Sequence, residues 1–210
     1  MSWLNEQRDC LREFLRSGSF RRVLRFCTIG LLVFTVLGAV AGTMAPDAVI
    51  ELFEEFMDQV QEAGVIDENG NMSVFSLMLN NWRAMLVSAL YGFIPFLFLP
   101  VVSLFANGAM LGMLAAFYHA NNLPMLAFFA GIVPHGIFEL PALVISIACG
   151  VYLCRSMCRV ILKSPNREPM VEVCSDLLRV MLLVVLPLVV AAAFIECYIT
   201  PVVMEFVVYV

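Results

Sequence analysis

The composition of the 210-residue chain is typical of a protein that resides in a membrane. Hydrophobic residues make up 62% of the chain and charged residues 14%, whereas soluble domains lie nearer one half and one quarter. The net charge of −5 argues against a basic surface that binds nucleic acid. Between Ala84 and Cys154 the one formally charged residue is Glu139, so this stretch does not contain a water-facing domain.

Five apolar stretches have the composition of membrane spans. In chain order they are Phe26–Ala45, Trp82–Phe105, Asn107–Tyr118, Met125–Leu153 and Val180–Val203. The second contains Pro95 and Pro100, which predict a kinked or broken helix, and the third is short for a span. The sequence therefore predicts an all-α membrane protein of about five transmembrane helices, some broken by proline or glycine, with an amphipathic helix outside the membrane.

The placement of arginine and lysine predicts the orientation of these spans. Six arginines lie in residues 1–25, and residues 155–179 are also basic, so both segments are expected in the cytoplasm. Residues 46–81 carry acids and no base, which favours the external side. Residues 1–210 thus form one integral membrane domain, in which residues 82–154 are a three-span apolar block and residues 180–203 the fifth span. We expect a multi-pass cell-membrane protein with its N-terminus inside and its C-terminus outside.

The external segment contains an apolar stripe at helical spacing. The stripe consists of Val49, Phe53, Phe56 and Val60, and acidic residues lie largely off it. Interfacial helices that bind anionic lipid are usually basic, so this acidic helix is expected to dock on protein. The stripe can pack on the protein's own spans, as apolar stripes most often do, or it can form the docking face for a partner.

The chain lacks the sequence patterns of common cofactor and catalytic sites. No glycine-rich phosphate loop, His-Glu-x-x-His pair or nucleophile elbow is present. Cys154 and Cys158 share a helix face, but two thiols without further matched Cys or His ligands do not make a zinc site. We therefore expect no cofactor, no metal and no enzymatic activity.

Four polar residues stand out within the apolar stretches. They are Asn107, His135, Glu139 and Glu196. Such residues are costly in lipid, so we expect them to converge in one buried polar cluster. Helix breaks are predicted nearby at Gly108, Pro134, Gly136 and Pro141, because proline and glycine weaken a helix. The pattern suggests discontinuous helices that meet around the cluster.

Three interpretations of this cluster remain open. The polar side chains can act as a structural lock that fixes the register of packed helices. They can instead form a transport or ligand site built from broken helices. An intramembrane hydrolase with Glu139 as base is a weaker alternative, because one histidine and one glutamate supply neither a nucleophile nor enough metal ligands.

Three stretches of the chain form a distinctive combination. They are Leu79–Gly112 with its Asn-Gly pair, Ile132–Gly150, and Ala191–Pro201 with Glu196. The most specific element is the string from Pro134 to Pro141, which reads Pro-His-Gly and then Glu-Leu-Pro. Together they resemble the stage II sporulation protein M family. The resemblance implies an integral membrane protein; the member that names the family assembles with two peptidoglycan-degrading partners during engulfment and anchors them in the membrane.

These observations predict an integral membrane scaffold or anchor for a cell-envelope complex, and the resemblance implies a link to peptidoglycan remodelling as in sporulation engulfment. The expected partners are the lipid bilayer, envelope proteins that remodel peptidoglycan and, as a homodimer, a second copy of the chain. The alternative is a small permease-like transporter whose substrate passes the polar centre. A scaffold should tolerate a neutral pair at His135 and Glu139, whereas a transporter should not.

Overall fold

A computed structural model describes residues 2–52, 55 and 73–208, and in this part of the chain the structure is helical without strands. The α-helices with defined bounds in the described residues are α1 Ser2–Arg16, α2 Gly18–Met44, α3 Val74–Leu90, α4 Leu99–Ala120, α5 Met125–Ile161, α6 Met170–Val180, α7 Leu186–Tyr198 and α8 Thr200–Val208. A π-helical turn, Met181–Val185, joins α6 to α7 without a loop. Residues 46–52 are also helical. The predicted all-α membrane fold is confirmed.

Four helical stretches in the described residues are long and apolar enough to cross a membrane. They are Gly18–Met44, Leu99–Ala120, Met125–Ile161 and Met170–Tyr198. With 17 residues, α3 is shorter than these. It overlaps the predicted second span from Trp82 to Leu90, and its first residues, 74–81, belong to the segment that was predicted to be external. Large apolar side chains on the outer face of α2 are about half exposed, for example Phe26 and Leu32. Such a surface suits contact with lipid.

The break predicted within the second span is present, but it divides the chain differently from the expected boundaries. A 3₁₀ turn follows α3, and the chain then leaves helical geometry until Leu99. Phe96 and Phe98 adopt positive φ angles of 68° and 45°, an uncommon conformation outside glycine. Pro100 lies in the first turn of α4, where its missing N–H needs no partner. The predicted short third span is therefore the second half of a 22-residue helix.

The C-terminal half of α5 forms the centre of the bundle. Ala142, Ile147, Ala148, Cys149 and Cys154 are completely buried there, and α5 packs against α2, α3, α4, α6, α7 and α8. The hydroxyl of buried Ser146 donates a hydrogen bond to the backbone carbonyl of Met85 in α3. The side chains on all sides of this half-helix are mostly apolar, and small ones are frequent among them. Several neighbouring helices can therefore pack closely against it.

Glycines bring α2 and α4 into backbone contact. The two helices carry matching glycine pairs four residues apart, Gly38 with Gly42 and Gly108 with Gly112, a spacing typical of close membrane-helix packing. A Cβ at Gly38 would lie 2.6 Å from the Cα of Ala109, closer than real side chains allow. The prediction that Gly108 breaks its helix is wrong, because α4 continues through it and the glycine serves this close approach.

The other three predicted breaks are also wrong. Helix α5 runs without interruption through Pro134, Gly136 and Pro141. Interior prolines disrupt helices in water, but in packed membrane helices local adjustment and neighbouring segments satisfy the freed carbonyl groups. Gly136 has only ordinary contacts, since an added Cβ would lie no nearer than 3.4 Å to another side chain. The rearrangements instead occur at residues 91–98 and 181–185.

The basic N-terminal segment is an ordered helix docked on the bundle. Arg179 of α6 donates a 2.6 Å hydrogen bond from Nε to Oε1 of Gln7 and pairs with Asp176 at 2.6 Å. Phe14 is buried against the rings of Phe20 and Tyr152, with centroid distances of 4.7 and 5.4 Å. These contacts tie α1 to α2, α5 and α6.

Candidate functional site: a polar cluster between α5, α7 and α8

The described structure brings three ionisable side chains together. One ligand-type atom from each of His135, Glu139 and Glu196 lies within 4.8 Å of the other two. His135 and Glu139 are four residues apart on α5 and therefore share one face of that helix, while Glu196 comes from α7. His135 Nε2 and Glu139 Oε2 are 3.7 Å apart, which is longer than a hydrogen bond.

A fourth polar residue completes the cluster from α8. The Oγ1 atom of Thr200 lies 3.3 Å from His135 Nδ1, and Thr200 is buried with 8% of its surface exposed. The cluster therefore joins three helical segments through side chains. Its two α5 members are mostly enclosed, since the side chains of His135 and Glu139 are 15% and 29% exposed.

The continuity of α5 creates the local geometry. Because the helix continues through Pro134 and Pro141, the turn that carries His135 and Glu139 stays in line with the buried half of α5, and both side chains lie beside Glu196 of α7. Pro141 cannot donate a backbone hydrogen bond to the carbonyl of Ile137. The cluster thus lies on a section of α5 in which proline removes one backbone donor.

The charges of the cluster are not balanced by a basic residue among the described side chains. The carboxylate pairs with arginine in that part of the chain are Asp9 with Arg12 and Asp176 with Arg179, and neither involves the cluster. Two ionised carboxylates in an apolar region are costly unless they bind a proton or a cation. The cluster is therefore suited to hold a proton between its members or to bind a positive ion.

Asn107, the fourth residue predicted for the cluster, does not fit the prediction of burial. It is exposed on α4, and its Nδ2 donates a 2.8 Å hydrogen bond to the carbonyl of Ser103 one turn earlier. An asparagine can satisfy its amide within its own helix in this way, so it does not require polar company from another segment. The prediction that Asn107 is buried is wrong.

Thr200 was missed by the sequence analysis, although a signal for it exists. It follows Glu196 by four residues, the same spacing that separates His135 from Glu139. On consecutive helical turns this spacing places both side chains on one face. Two such polar pairs on segments predicted to pack together would have pointed to a four-residue cluster.

Of the four residues predicted to form the external docking face, the structure describes only Val49. Val49 is 2% exposed, and a Cβ added to Gly42 of α2 would lie 3.4 Å from its Cγ2. Val49 therefore packs on the protein's own spans, and its assignment to a partner-docking face is wrong. Phe53, Phe56 and Val60 lie outside the described residues.

A wide polar cleft lies at the opposite, N-terminal end of the bundle. Its volume is about 490 Å³, and Glu13, Glu168, Asp176 and Arg179 contribute to its lining. Tyr152 donates a 2.7 Å hydrogen bond to Glu168 Oε2 at its wall. None of the cluster residues on α5, α7 and α8 contributes to the lining of this cleft.

Comparison with known proteins assigns the family. The model of the family described as stage II sporulation protein M matches residues 27–201. The chain belongs to the stage II sporulation protein M family. The resemblance expected from the sequence is thereby confirmed, and the matched region of this family member includes all four residues of the polar cluster.

One curated relative of this stage II sporulation protein M family member is an uncharacterized protein of Methanocaldococcus jannaschii. The two are 33% identical over 126 residues, which cover 60% of this chain and 70% of the relative. No solved structure matches the chain. The family assignment thus rests on sequence, and the four apolar helices agree with a multi-pass membrane protein.

Proposed function

We propose that this family member is a membrane anchor or scaffold for a cell-envelope complex, linked to peptidoglycan remodelling. The observation that carries the proposal is the family match over residues 27–201, which includes α3, α4, α5, α6 and α7 completely. The family is named for sporulation, a process that rebuilds the envelope. The proposed partners are envelope proteins, and a second copy of the chain is a further candidate.

The packing of the bundle supports an anchoring role. Helix α5 is buried along its C-terminal half, and the polar cluster links its N-terminal half to α7 and α8. Polar contacts of this kind fix the register of membrane helices. A bundle held at both halves of its central helix is a stable platform for segments outside the membrane.

The segment after α2 is the proposed platform for a partner. Val49 fixes its beginning to the bundle, while Glu51 and Glu55 are exposed. The next apolar residues of the stripe, Phe53 and Phe56, are the proposed contacts. An acidic helix with an apolar stripe fits a protein partner better than anionic lipid.

Paired serine substitutions test this platform. Phe53→Ser with Phe56→Ser should remove roughly 1.5 to 3 kcal/mol of apolar burial per side chain, so co-purification of envelope proteins in mild detergent should fall while the bundle remains folded. Val49→Ser is the matched comparison, and it should reduce thermal stability because Val49 is buried. If the phenylalanine variants unfold instead, the stripe packs on the protein's own spans and the platform is refuted.

The orientation proposed for the anchor is N-terminus inside and C-terminus outside, as basic residues favour. Asn122 lies in the turn between α4 and α5, and Ser164 lies between α5 and α6. Single cysteines at these positions, in a background without the native seven, should react differently with an impermeant thiol reagent on intact cells. Modification at 122 alone is expected; modification at 164 alone, or at both positions, contradicts the orientation.

A transporter is the second candidate, and the polar cluster is the observation that favours it. Two carboxylates and an imidazole converge between membrane helices, an arrangement that is often functional in membrane proteins. Proton or ion flux through proteoliposomes, abolished by Glu139→Gln without loss of stability, would favour this candidate over the scaffold.

A further inference from the structure

We propose that His135, Glu139 and Glu196 form a binding site for one divalent transition-metal ion. The site would take an imidazole nitrogen and two carboxylate oxygens as ligands, a donor set that suits ions such as Zn²⁺, Mn²⁺ or Co²⁺. It lies between α5 and α7, with Thr200 of α8 behind the imidazole. This binding role is independent of the anchoring function proposed above.

The distances between the donor atoms are close to those of ligands around a common ion. Zinc lies about 2.1 Å from nitrogen and oxygen ligands, so two ligands of a tetrahedral ion are about 3.4 Å apart. His135 Nε2 and Glu139 Oε2 are separated by 3.7 Å. The three donor atoms lie within 4.8 Å of one another, at most about 1.4 Å more than the spacing around a tetrahedral ion. Rotation of the glutamate side chains can shorten the distance, because the last torsion of glutamate is broad.

The distance between His135 Nε2 and Glu139 Oε2 also distinguishes this cluster from a hydrogen-bonded pair. At 3.7 Å, His135 and Glu139 are too far apart for a direct hydrogen bond. They are nevertheless side by side on one helix and cannot separate far. An ion placed between them would satisfy both groups at once and would add Glu196 as the third ligand.

Thr200 supplies the outer contact that a metal-binding histidine requires. Histidine ligands usually donate the ring N–H that faces away from the metal to an oxygen, which fixes the tautomer and the ring orientation. Here Nδ1 lies 3.3 Å from the Thr200 hydroxyl, while Nε2 faces Glu139. With the proton on Nδ1, the lone pair of Nε2 is directed toward the carboxylates.

The charge of the cluster also favours a divalent metal ion in this site. Two ionised glutamates and a neutral histidine carry a charge of −2, which one divalent ion neutralises. In the part of the chain that the structure describes, neither glutamate pairs with lysine or arginine. The nitrogen ligand favours a transition ion over Mg²⁺ or Ca²⁺, which prefer oxygen ligands throughout.

Cobalt titration of the purified full-length protein in detergent tests the site. The wild-type chain should bind one Co²⁺ and develop the visible d–d absorption of a nitrogen- and oxygen-ligated ion, and Zn²⁺ should displace it. His135→Asn, Glu139→Gln and Glu196→Gln should each weaken binding at least tenfold. Thr200→Val, which removes only the outer contact, should weaken it about tenfold.

The matched controls are the second histidine and a nearby glutamate. His119 lies in the last turn of α4 and Glu205 lies on α8 beyond Thr200, and both are exposed. His119→Asn and Glu205→Gln should bind Co²⁺ like the wild type. Their retention of binding would show that loss in the cluster variants is not a general effect of removing a donor.

Two results would overturn the proposal. The first is a wild-type protein that binds no Co²⁺ or Mn²⁺, an outcome that does not depend on whether any variant folds. The second is binding dominated by a near-ultraviolet thiolate band that persists in the cluster variants, since this would place the ion on cysteines such as Cys197. Size-exclusion profiles of the variants separate lost binding from lost folding.

Discussion

Two contacts between membrane helices show different solutions to the same physical problem. At the α2–α4 interface, glycines remove side-chain atoms so that the backbones touch. At the junction of α5 with α7 and α8, polar side chains of His135, Glu196 and Thr200 connect the segments. Lipid offers little hydrophobic drive for helix association, so membrane helices rely on close packing or on polar contacts. This bundle uses close packing between α2 and α4 and polar contacts between α5, α7 and α8.

The two contacts differ in what a substitution can do to them. The glycine interface depends on empty volume, so adding atoms harms it while polarity matters little. The polar cluster depends on matched donors and acceptors, so removing one group leaves another without a partner. Substitutions that add volume and substitutions that remove polarity therefore distinguish the two.

The largest effect is expected from adding volume at the glycine interface. A Cβ at Gly112 would lie 2.5 Å from the backbone nitrogen of Ala39, and backbone cannot move aside as a flexible side chain can. Gly112→Val should therefore destabilise the bundle by about 3 kcal/mol or more. Denaturant titration in detergent micelles measures the change.

Gly136→Ala is the matched control for that substitution. It lies inside α5, where an added Cβ would meet ordinary contacts at 3.4 Å or more. Alanine favours a helix over glycine by about 1 kcal/mol, so this variant should be neutral or slightly stabilised. Equal destabilisation by both variants would mean that α2 and α4 are not in backbone contact.

A smaller effect is expected at the polar cluster. Glu139→Leu replaces a polar member of the cluster with an apolar side chain and should cost about 1 to 3 kcal/mol, whereas Glu139→Gln keeps a polar group of the same shape and should cost less than about 1 kcal/mol. Thermal unfolding of both variants in the same detergent measures the difference. A Leu variant as stable as the wild type would show that Glu139 does not help to hold α5 against α7.

The helical class, the approximate spans and three cluster members were predicted from the sequence. They follow from the apolar composition and from the free-energy cost of placing a polar side chain in lipid. Long apolar stretches need a membrane, and Glu139 in such a stretch needs company. The sequence did not predict that α5 continues through Pro134 and Pro141, because the penalty for an interior proline was taken from helices in water. Tertiary packing offsets that penalty.

The glycine contact between α2 and α4 could have been predicted from the sequence, but one of its glycines was taken as a helix break. Gly38 with Gly42 and Gly108 with Gly112 both have the spacing of close helix packing. The Asn107-Gly108 pair instead suggested a break, as it would in a soluble turn. Asn107 was expected to be buried because it is polar, yet it bonds within its own helix. The first error came from leaving out the partner helix, and the second from leaving out the backbone acceptor one turn earlier in the same helix.

The smallest effect is expected at a contact that combines both solutions. Ser146 is a small residue in the buried half of α5, and its hydroxyl donates to the carbonyl of Met85 across the interface with α3. Ser146→Ala keeps the volume small and removes only the hydrogen bond. That carbonyl retains its partner within α3, so the loss should be about 0.5 to 1.5 kcal/mol, the usual range for interhelical hydrogen bonds in membranes.

Ser88→Ala is the control, because the hydroxyl of Ser88 bonds at 2.9 Å to the Ala84 carbonyl within its own helix and should contribute little to association. Ser146→Val tests the volume requirement at the same site, where the residue is completely buried, and should cost more than Ser146→Ala. Unfolding of all three variants under one set of detergent conditions gives the comparison. If Ser146→Ala were more damaging than Ser146→Val, the α3–α5 contact would depend on polarity, as the α5–α7 junction does, and not on close packing.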